Sequence, residues 1–340
     1  MIDTIYIEEE IKNHHRTREI LRRFPKARLI PCERYGEVFN PRAQNFRLQK
    51  LKPALILAKK YGNFVLETPQ GYGIGGKHNF YFSYMLNCIY DCRYCFLQGM
   101  YRSAHYVLFV NYEDFESSIE KKIAEFEEET YFFSGYDCDS LALDSVTGFT
   151  DKFLPFFEKY PKALIELRTK SIQIKSLLSR KPIQNCVVAF SFTPSEVSEA
   201  LEHKTPAVSH RIEAMQRLQE CGWKLGLRFD PLIYHENYKE QYERLIRDIF
   251  GAIRIESLHS VSLGPFRLPK VWYENIYRLY PDEKLFAGPL QGKGGVISYR
   301  SGIEEEMSGF VTRLLLNHVP SPIFFRCFPQ NEAVVSEVKK

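Results

Sequence analysis

The chain has 340 residues, 44% of them hydrophobic, with a formal net charge of +4. That length fits one large α/β domain with extensions or two modest domains, the apolar fraction fills a real core, and so small a charge does not by itself argue for nucleic acid. No apolar run approaches the roughly 18 residues of a membrane span, the start lacks the basic-then-apolar pattern of a secretory signal, and eight cysteines are too few for a disulfide scaffold. A cytoplasmic, reducing setting with no membrane contact is expected.

In chain order, residues 5–7 read as a short strand and 8–24 as a helix closed by Pro25. Residues 41–66 carry Arg42, Arg47, Lys50, Lys52, Lys59 and Lys60 and no acidic residue. Such a block suits phosphate contacts, or a solvated helix face with Leu51, Leu55, Ile56 and Leu57 turned inward. Gly71-Tyr72-Gly73-Ile74-Gly75-Gly76 is read as a flexible turn, because the alternating aromatic stretch 79–86 follows it where a dinucleotide site needs a helix N-terminus. Beyond the strand 80–86, strands are predicted at 106–110, 131–134, 163–168, 186–192, 224–229 and 257–263, with helices at 114–129, 151–159, 172–179, 209–221 and 237–252. Cys186 and Cys221 fall in apolar surroundings and are expected to be buried.

Strands alternating with helices of this length argue for parallel βαβ units. About six units, counted from the strand 80–86, predict an α/β fold: a partial (β/α)6 barrel over residues 79–267. An N-terminal α+β extension (1–78) carries the basic segment. A C-terminal one (268–340) closes the barrel with a helix at 271–279, a Gly-rich basic loop at 291–300, a helix at 303–316 and a strand at 323–328. Catalytic groups in such barrels lie at the C-terminal strand ends, which here hold residues 134–139, 168–170 and 191–193, with Asp230 and Gly264.

The strand 80–86 runs into Asn87-Cys88-Ile89-Tyr90-Asp91-Cys92-Arg93-Tyr94-Cys95. Three thiolates in one short loop point to iron-sulfur or zinc chemistry. A cubane [4Fe-4S] cluster usually takes four thiolates, so three leave one iron open to a substrate or cofactor. A structural zinc held by Cys88, Cys92 and Cys95 with His78 or His105 is the other reading the residues leave open.

With Tyr94 before the third cysteine, the Cys-x3-Cys-x-aromatic-Cys pattern resembles the signature of the radical S-adenosylmethionine (SAM) enzymes. The resemblance implies that the amino and carboxylate groups of SAM chelate the fourth iron, and that one electron from the reduced cluster releases methionine and a 5'-deoxyadenosyl radical. A low-potential donor such as flavodoxin or ferredoxin would supply that electron.

Further along, Tyr94-Cys95-Phe96-Leu97-Gln98, Asp139-Ser140-Leu141-Ala142-Leu143-Asp144, Arg168-Thr169-Lys170, Phe190-Ser191 and Ser262-Leu263-Gly264-Pro265-Phe266-Arg267 together resemble the spore photoproduct lyase family of these enzymes. That resemblance implies a lyase that repairs a thymine dimer in DNA without light. Lys170 would hold the SAM carboxylate, Ser191 would assist it, and Asp139 would lie near the SAM amine. The family's Cys-x-Ser-Asp segment carries the cysteine that returns hydrogen; here it reads Tyr136-Asp137-Cys138-Asp139. Cys138, Tyr94 and Tyr136 are therefore the hydrogen-return candidates, since Phe96 stands where some members have a relay tyrosine. The departures leave room for another base in DNA or RNA as substrate. The basic segment 42–60 and the loop 293–300, with Tyr299, would meet the nucleic acid by backbone contacts and stacking, after the base is flipped out. A zinc-stabilised nucleic-acid binding protein is the non-enzymatic alternative.

Overall fold

The chain begins with β1 (Thr4–Glu8), β2 (Arg28–Cys32) and β3 (Leu55–Ala58), linked through helices His15–Arg23 and Phe46–Leu51. In β1, Ile5 and Ile7 are buried while Thr4 and Tyr6 are half-exposed, the alternation of a strand with one dry face; β3 is buried throughout, as in a sheet covered on both faces. A computed structural model describes residues 2–39, 41 and 44–327; Arg42 and Phe328, named above, lie outside the described residues.

After β4 (Leu66–Glu67), β5 (His78–Tyr81), β6 (Met85–Leu86) and the two-residue β7 (Asp91–Cys92), strand β8 (Tyr106–Phe109) returns to the first three. These make a sheet in the order β2-β1-β3-β8-β6, parallel except for β6 at its edge. Residues 55–57, offered above as a helix face, are thus a strand: the charged residues flanking this apolar run masked it. The helix predicted over 8–24 begins only at His15. Glu8 ends β1 with its carboxylate buried, accepting from the backbone N–H groups of Tyr35 (2.6 Å) and Lys59 (2.8 Å), and His14 caps the helix by accepting from the Arg16 N–H at 3.3 Å.

The second sheet uses β9 (Thr130–Phe133), β10 (Ala163–Thr169), β11 (Cys186–Ser191), the short β12 (Glu202–His203) outside it, then β13 (Lys224–Leu232) and β14 (Leu258–Pro265). The antiparallel trio β15 (Arg267–Pro269), β16 (Leu290–Lys293) and β17 (Val296–Tyr299) precedes β18 (Phe324–Arg326). The order of this sheet is β4-β5-β9-β10-β11-β13-β14-β18, parallel from β5 to β18. Of the seven strands predicted between residues 80 and 263, six run in this sheet, so the α/β partial barrel is borne out; the one at 106–110 is β8 of the first sheet, and the C-terminal extension adds β18 as a further parallel strand. β11 reads CVVAFS and is wholly buried, the continuous apolar run of a central parallel strand.

The barrel interior is not purely apolar. Glu166 on β10 and Arg228 on β13 are fully buried and pair at 2.7 Å, while Arg168 bonds Glu166 at 3.1 Å. Burial alone would raise the Glu166 carboxyl, but Arg228 and Arg168 hold it below its ordinary value.

The run 80–86 is not one strand. Residues 78–81 belong to the barrel, where the Phe82 N–H still reaches the Phe133 carbonyl at 3.1 Å; residues 85–86 pair with β8, and the Phe109 N–H reaches the Tyr84 carbonyl at 3.0 Å. The chain therefore crosses from one sheet to the other just before the cysteine loop. A boundary at residue 78 does not part the two sheets, since β4 lies on the barrel edge while β6 and β8 complete the first sheet.

Two local expectations are corrected. Cys186 is buried, but Cys221 is exposed, because it sits one residue past the helix Val208–Glu220. The predicted loop 291–300 is a hairpin of β16 and β17, turned by Gly294 and Gly295, both at positive φ. No helix among the described residues is long and apolar enough to cross a membrane.

Candidate active site

Parallel strands of the barrel present one rim of C-terminal ends, and the cysteine loop, leaving β6 of the first sheet, lies against that rim. It starts at Asn87, whose φ of 69° puts it in the left-handed region. An asparagine tolerates that conformation, and its side-chain amide donates to the carbonyls of Ser103 (2.7 Å) and His105 (2.8 Å), closing the base of the loop. The middle is held by β7 pairing with β12, Cys92 opposite Glu202, and by the Arg93 N–H on the Leu201 carbonyl at 2.8 Å. Lys50 supports the first part: its Nζ donates to the carbonyls of Cys88 (3.2 Å) and Tyr90 (3.1 Å).

The loop ends in the short helix Leu97–Met100, which lies against the helix Lys270–Leu279. Gly99 makes that approach possible, for a Cβ there would sit 2.3 Å from the Trp272 carbonyl oxygen. Gly99→Ala is expected to lower stability by about 1–3 kcal/mol, the usual cost of overpacking, seen as a lower urea midpoint.

Cys92 is buried, and Cys88 and Cys95 are half-buried. Burial pushes all three thiols up, Cys88 to about 12. Bare thiolates are thus unfavourable in this dry pocket, and a polycationic iron centre is the partner that would compensate them. Lys170 acts in the same sense on Cys92 and Cys95, and Lys50 on Cys88 and Cys95. Among the described residues no three Cys, His, Asp or Glu groups are gathered tightly enough to grip a single ion. Neither histidine of the zinc reading faces the trio as a free ligand. His78 stacks on Phe126 at 3.8 Å, at the opposite end of β5, and His105 Nδ1 accepts from the Ala54 N–H at 3.0 Å. The donor set therefore fits a three-thiolate cluster better than a zinc tetrahedron.

Around the rim, Lys170 follows β10, with its Nζ 5.6 Å from the centre of the Tyr94 ring and 3.9 Å from Glu202. Glu202 organises this side. It is fully buried and accepts from Tyr94 Oη, Thr193 Oγ1 (3.0 Å), Ser198 Oγ (2.9 Å) and Arg211 Nη2 (2.5 Å). Burial opposes the charge, but Lys170 and Arg211 outweigh it and bring the carboxyl down to about 2. Arg211, also buried, donates through Nη1 to the Ser191 carbonyl at 3.2 Å, which ties Ser191 at the end of β11 into the same network.

Asp139 accepts at Oδ1 from the N–H groups of Leu141 (3.0 Å) and Ala142 (2.9 Å) and from Thr169 Oγ1 (2.7 Å), and at Oδ2 from the Lys170 N–H (2.7 Å). Its first job is to shape the turn and fasten it to β10; one acceptor position on Oδ2 stays open.

Tyr136 and Cys138 face different ways because the loop 135–139 is bent, not extended. Tyr136 is half-buried on the rim, stacked on Tyr81 at 4.2 Å and 5.8 Å from Phe96, which in turn stacks on Trp272 at 5.6 Å. Burial, with Tyr81 and Asp137, pushes the Tyr136 phenol up, so it stays protonated. Cys138 is buried, its thiol donating to the Ser134 carbonyl at 3.8 Å, and fully buried Tyr84 donates its phenol to the Ser140 carbonyl at 3.2 Å.

Residues 79–290, more than half of the chain, match the family model described as spore photoproduct lyase. The chain belongs to the spore photoproduct lyase family. It is 26% identical over 209 residues to the spore photoproduct lyase of Clostridium acetobutylicum, covering 61% of this chain and 62% of that one. To the Bacillus subtilis protein of the same name it is 26% identical over 202 residues, 58% and 59% of the two chains. The matches thus span about three fifths of these curated relatives. In fold the likeness extends further. Spore photoproduct lyase complexed with dinucleoside spore photoproduct superposes with a TM-score of 0.83 at 19% identity, over 96% of this chain and 98% of that one. A mutant of it with bound AdoMet and the same dinucleoside gives 0.82.

Within the spore photoproduct lyase fold, several expected contacts fall elsewhere. The basic segment is not a free phosphate strip: Lys50 is buried under the cysteine loop, Lys52 pairs with Asp3 at 2.6 Å, and Lys59 pairs with Glu10. Tyr299 is buried, its oxygen accepting from the Tyr234 N–H at 3.0 Å, so it is not a stacking residue. Sequence reasoning missed Glu202, Arg211, Lys50, Gly99 and Tyr81. Each matters through a partner distant in the chain, and no spacing within its own segment marks it.

Proposed function

We propose that this chain is a radical SAM lyase that repairs a thymine dimer lesion of the spore photoproduct type in DNA. The observation that carries the reading is the trio of desolvated thiols over the barrel rim with Lys170 beside it from the end of β10. Cys88, Cys92 and Cys95 would hold a [4Fe-4S] cluster, and Lys170 the SAM carboxylate as a point-charge partner, with Ser191 and the open position of Asp139 nearby. When bound, that pair supplies the radical that takes a hydrogen atom from the lesion. The protein orients the reacting carbon, and the Tyr81, Tyr136, Phe96 and Trp272 rings keep water from it.

Tyr136 returns the hydrogen atom in this reading. It stands half-buried on the rim, while the Cys138 thiol, though within reach of the charges of Cys88 and Asp139, is buried with its hydrogen on the Ser134 carbonyl. The phenol gives its hydrogen to the substrate carbon radical, and the phenoxyl left behind takes back one electron and one proton, the electron from a low-potential donor such as flavodoxin or ferredoxin. Tyr136→Phe is expected to keep SAM cleavage but lower repaired product at least about tenfold, within the range removal of a proton-transfer group gives. Cys138→Ala should leave product yield unchanged; the reverse pattern would move the role to the thiol.

The tyrosine at 136 also favours a second reading, the same radical chemistry on another nucleic-acid base. An anaerobic assay of iron-reconstituted, reduced protein with SAM, with and without a spore-photoproduct dinucleotide, separates the two. Deoxyadenosine together with released thymine dinucleotide supports the lyase. Deoxyadenosine without repair points to another base, and neither product overturns both.

A further inference from the structure

Among the described lysines and arginines of the basic segment, Lys50 is the one that the fold buries. It is 5% exposed, on the helix Phe46–Leu51, and its ammonium reaches across to the cysteine loop. Two of its hydrogens are spent on the carbonyls of Cys88 and Tyr90, at 3.2 and 3.1 Å. Asp91 is the carboxylate whose charge supports the ammonium most, although Asp91 is shared with Arg93 at 2.8 Å, and Lys204 opposes it. The other negative groups whose charge reaches the ammonium are the Cys88 and Cys95 thiolates.

A buried ammonium is costly unless an opposite charge compensates it. Here two carbonyl dipoles and Asp91 help, Asp91 is shared with Arg93, and the further negative charge the pocket offers is that of the thiolate-bound centre. A loop clamp alone would not need an ion, since a neutral amide donor could bond the same two carbonyls. We propose that Lys50 is a fixed cation that favours the one-electron-reduced form of the cluster, in addition to holding the loop. This rests on the reading above that the trio binds a [4Fe-4S] cluster.

The step is a single electron entering from an external low-potential donor. Lys50 neither gains nor loses a proton in it; its charge lies close to the added electron in a desolvated site, where such interactions are strong. Net charge and hydrogen bonding near the ligands are among the factors that set the potential of such centres.

The test is a redox titration of reconstituted protein without SAM or substrate, following the paramagnetic signal of the reduced cluster. Lys50→Gln and Lys50→Met should bind as much iron as the parent, with the reduced-to-oxidised ratio at fixed potential falling about tenfold, a shift of ~59 mV for one electron. Lys50→Arg should stay within about twofold of the parent, because it keeps the charge. Neutral variants that hold iron at the parent potential would overturn the proposal, and so would an arginine variant that shifts as far as they do. Neutral variants that fold but bind no iron, beside an arginine variant that does, would also overturn it by assigning Lys50 to building the loop. A parent chain that takes up no reducible iron would end the cluster reading itself, before any variant is compared.

Discussion

Cys88→Ala is expected to give a folded protein that retains no reducible cluster and cleaves no SAM. Cys88 sits where the loop leaves β6, and its backbone is already fixed by Lys50 and by the Asn87 amide. Losing the sulfur therefore removes a ligand without dismantling the scaffold. Two thiolates cannot leave the same single open iron, so cofactor chemistry should fall to background instead of to a fraction. Iron content, visible absorbance and anaerobic deoxyadenosine formation check this, with far-UV circular dichroism as the folding control. A brown, fully active Cys88→Ala protein would remove the trio from the mechanism.

Glu202→Ala should be the most destabilising single change on the rim, by about 3–5 kcal/mol, the usual cost of breaking a buried ion pair. It would strand the Arg211 guanidinium, which is fully buried, and leave Tyr94, Thr193 and Ser198 without their acceptor. Urea unfolding should show the loss as a lower midpoint, and a variant within about 1 kcal/mol of the parent would mean water replaces the carboxylate freely. The same residue predicts an acid limit. Its folded carboxyl titrates near 2 against an ordinary value of 4.5, so it stabilises the fold above pH 4.5. That contribution is lost as pH falls from 4.5 toward 2. In Glu202→Gln the decline across this window should be shallower than in the parent.

How much of this was legible in the sequence depended on whether the relevant residues were neighbours in the chain. The cysteine loop was fully legible, because thiols three and two residues apart announce their chemistry. The barrel was legible too, since each strand and helix carries its own periodicity. The first sheet was not: β3 is four apolar residues flanked by lysines, and its partners β1 and β8 are separated from it by loops of other character. The orientations of Tyr136 and Cys138 were also hidden, for they hinge on a bend that Asp139 imposes through contacts with β10. Lys50 looked like a surface charge in a basic run, and only the packing of its helix under the loop shows it to be interior.

The crossing of residues 82–84 from one sheet to the other bears on how far the molecule can be dissected. The family match begins at residue 79, which invites a shortened protein starting there. Such a chain would lose β3, the neighbour of β8, and with it the sheet into which the segment carrying the cysteines is woven. It would lose Lys50 as well. The first 78 residues are therefore not an appendage to be trimmed or exchanged for another module. Any chimaera or minimal version has to inherit them together with the barrel.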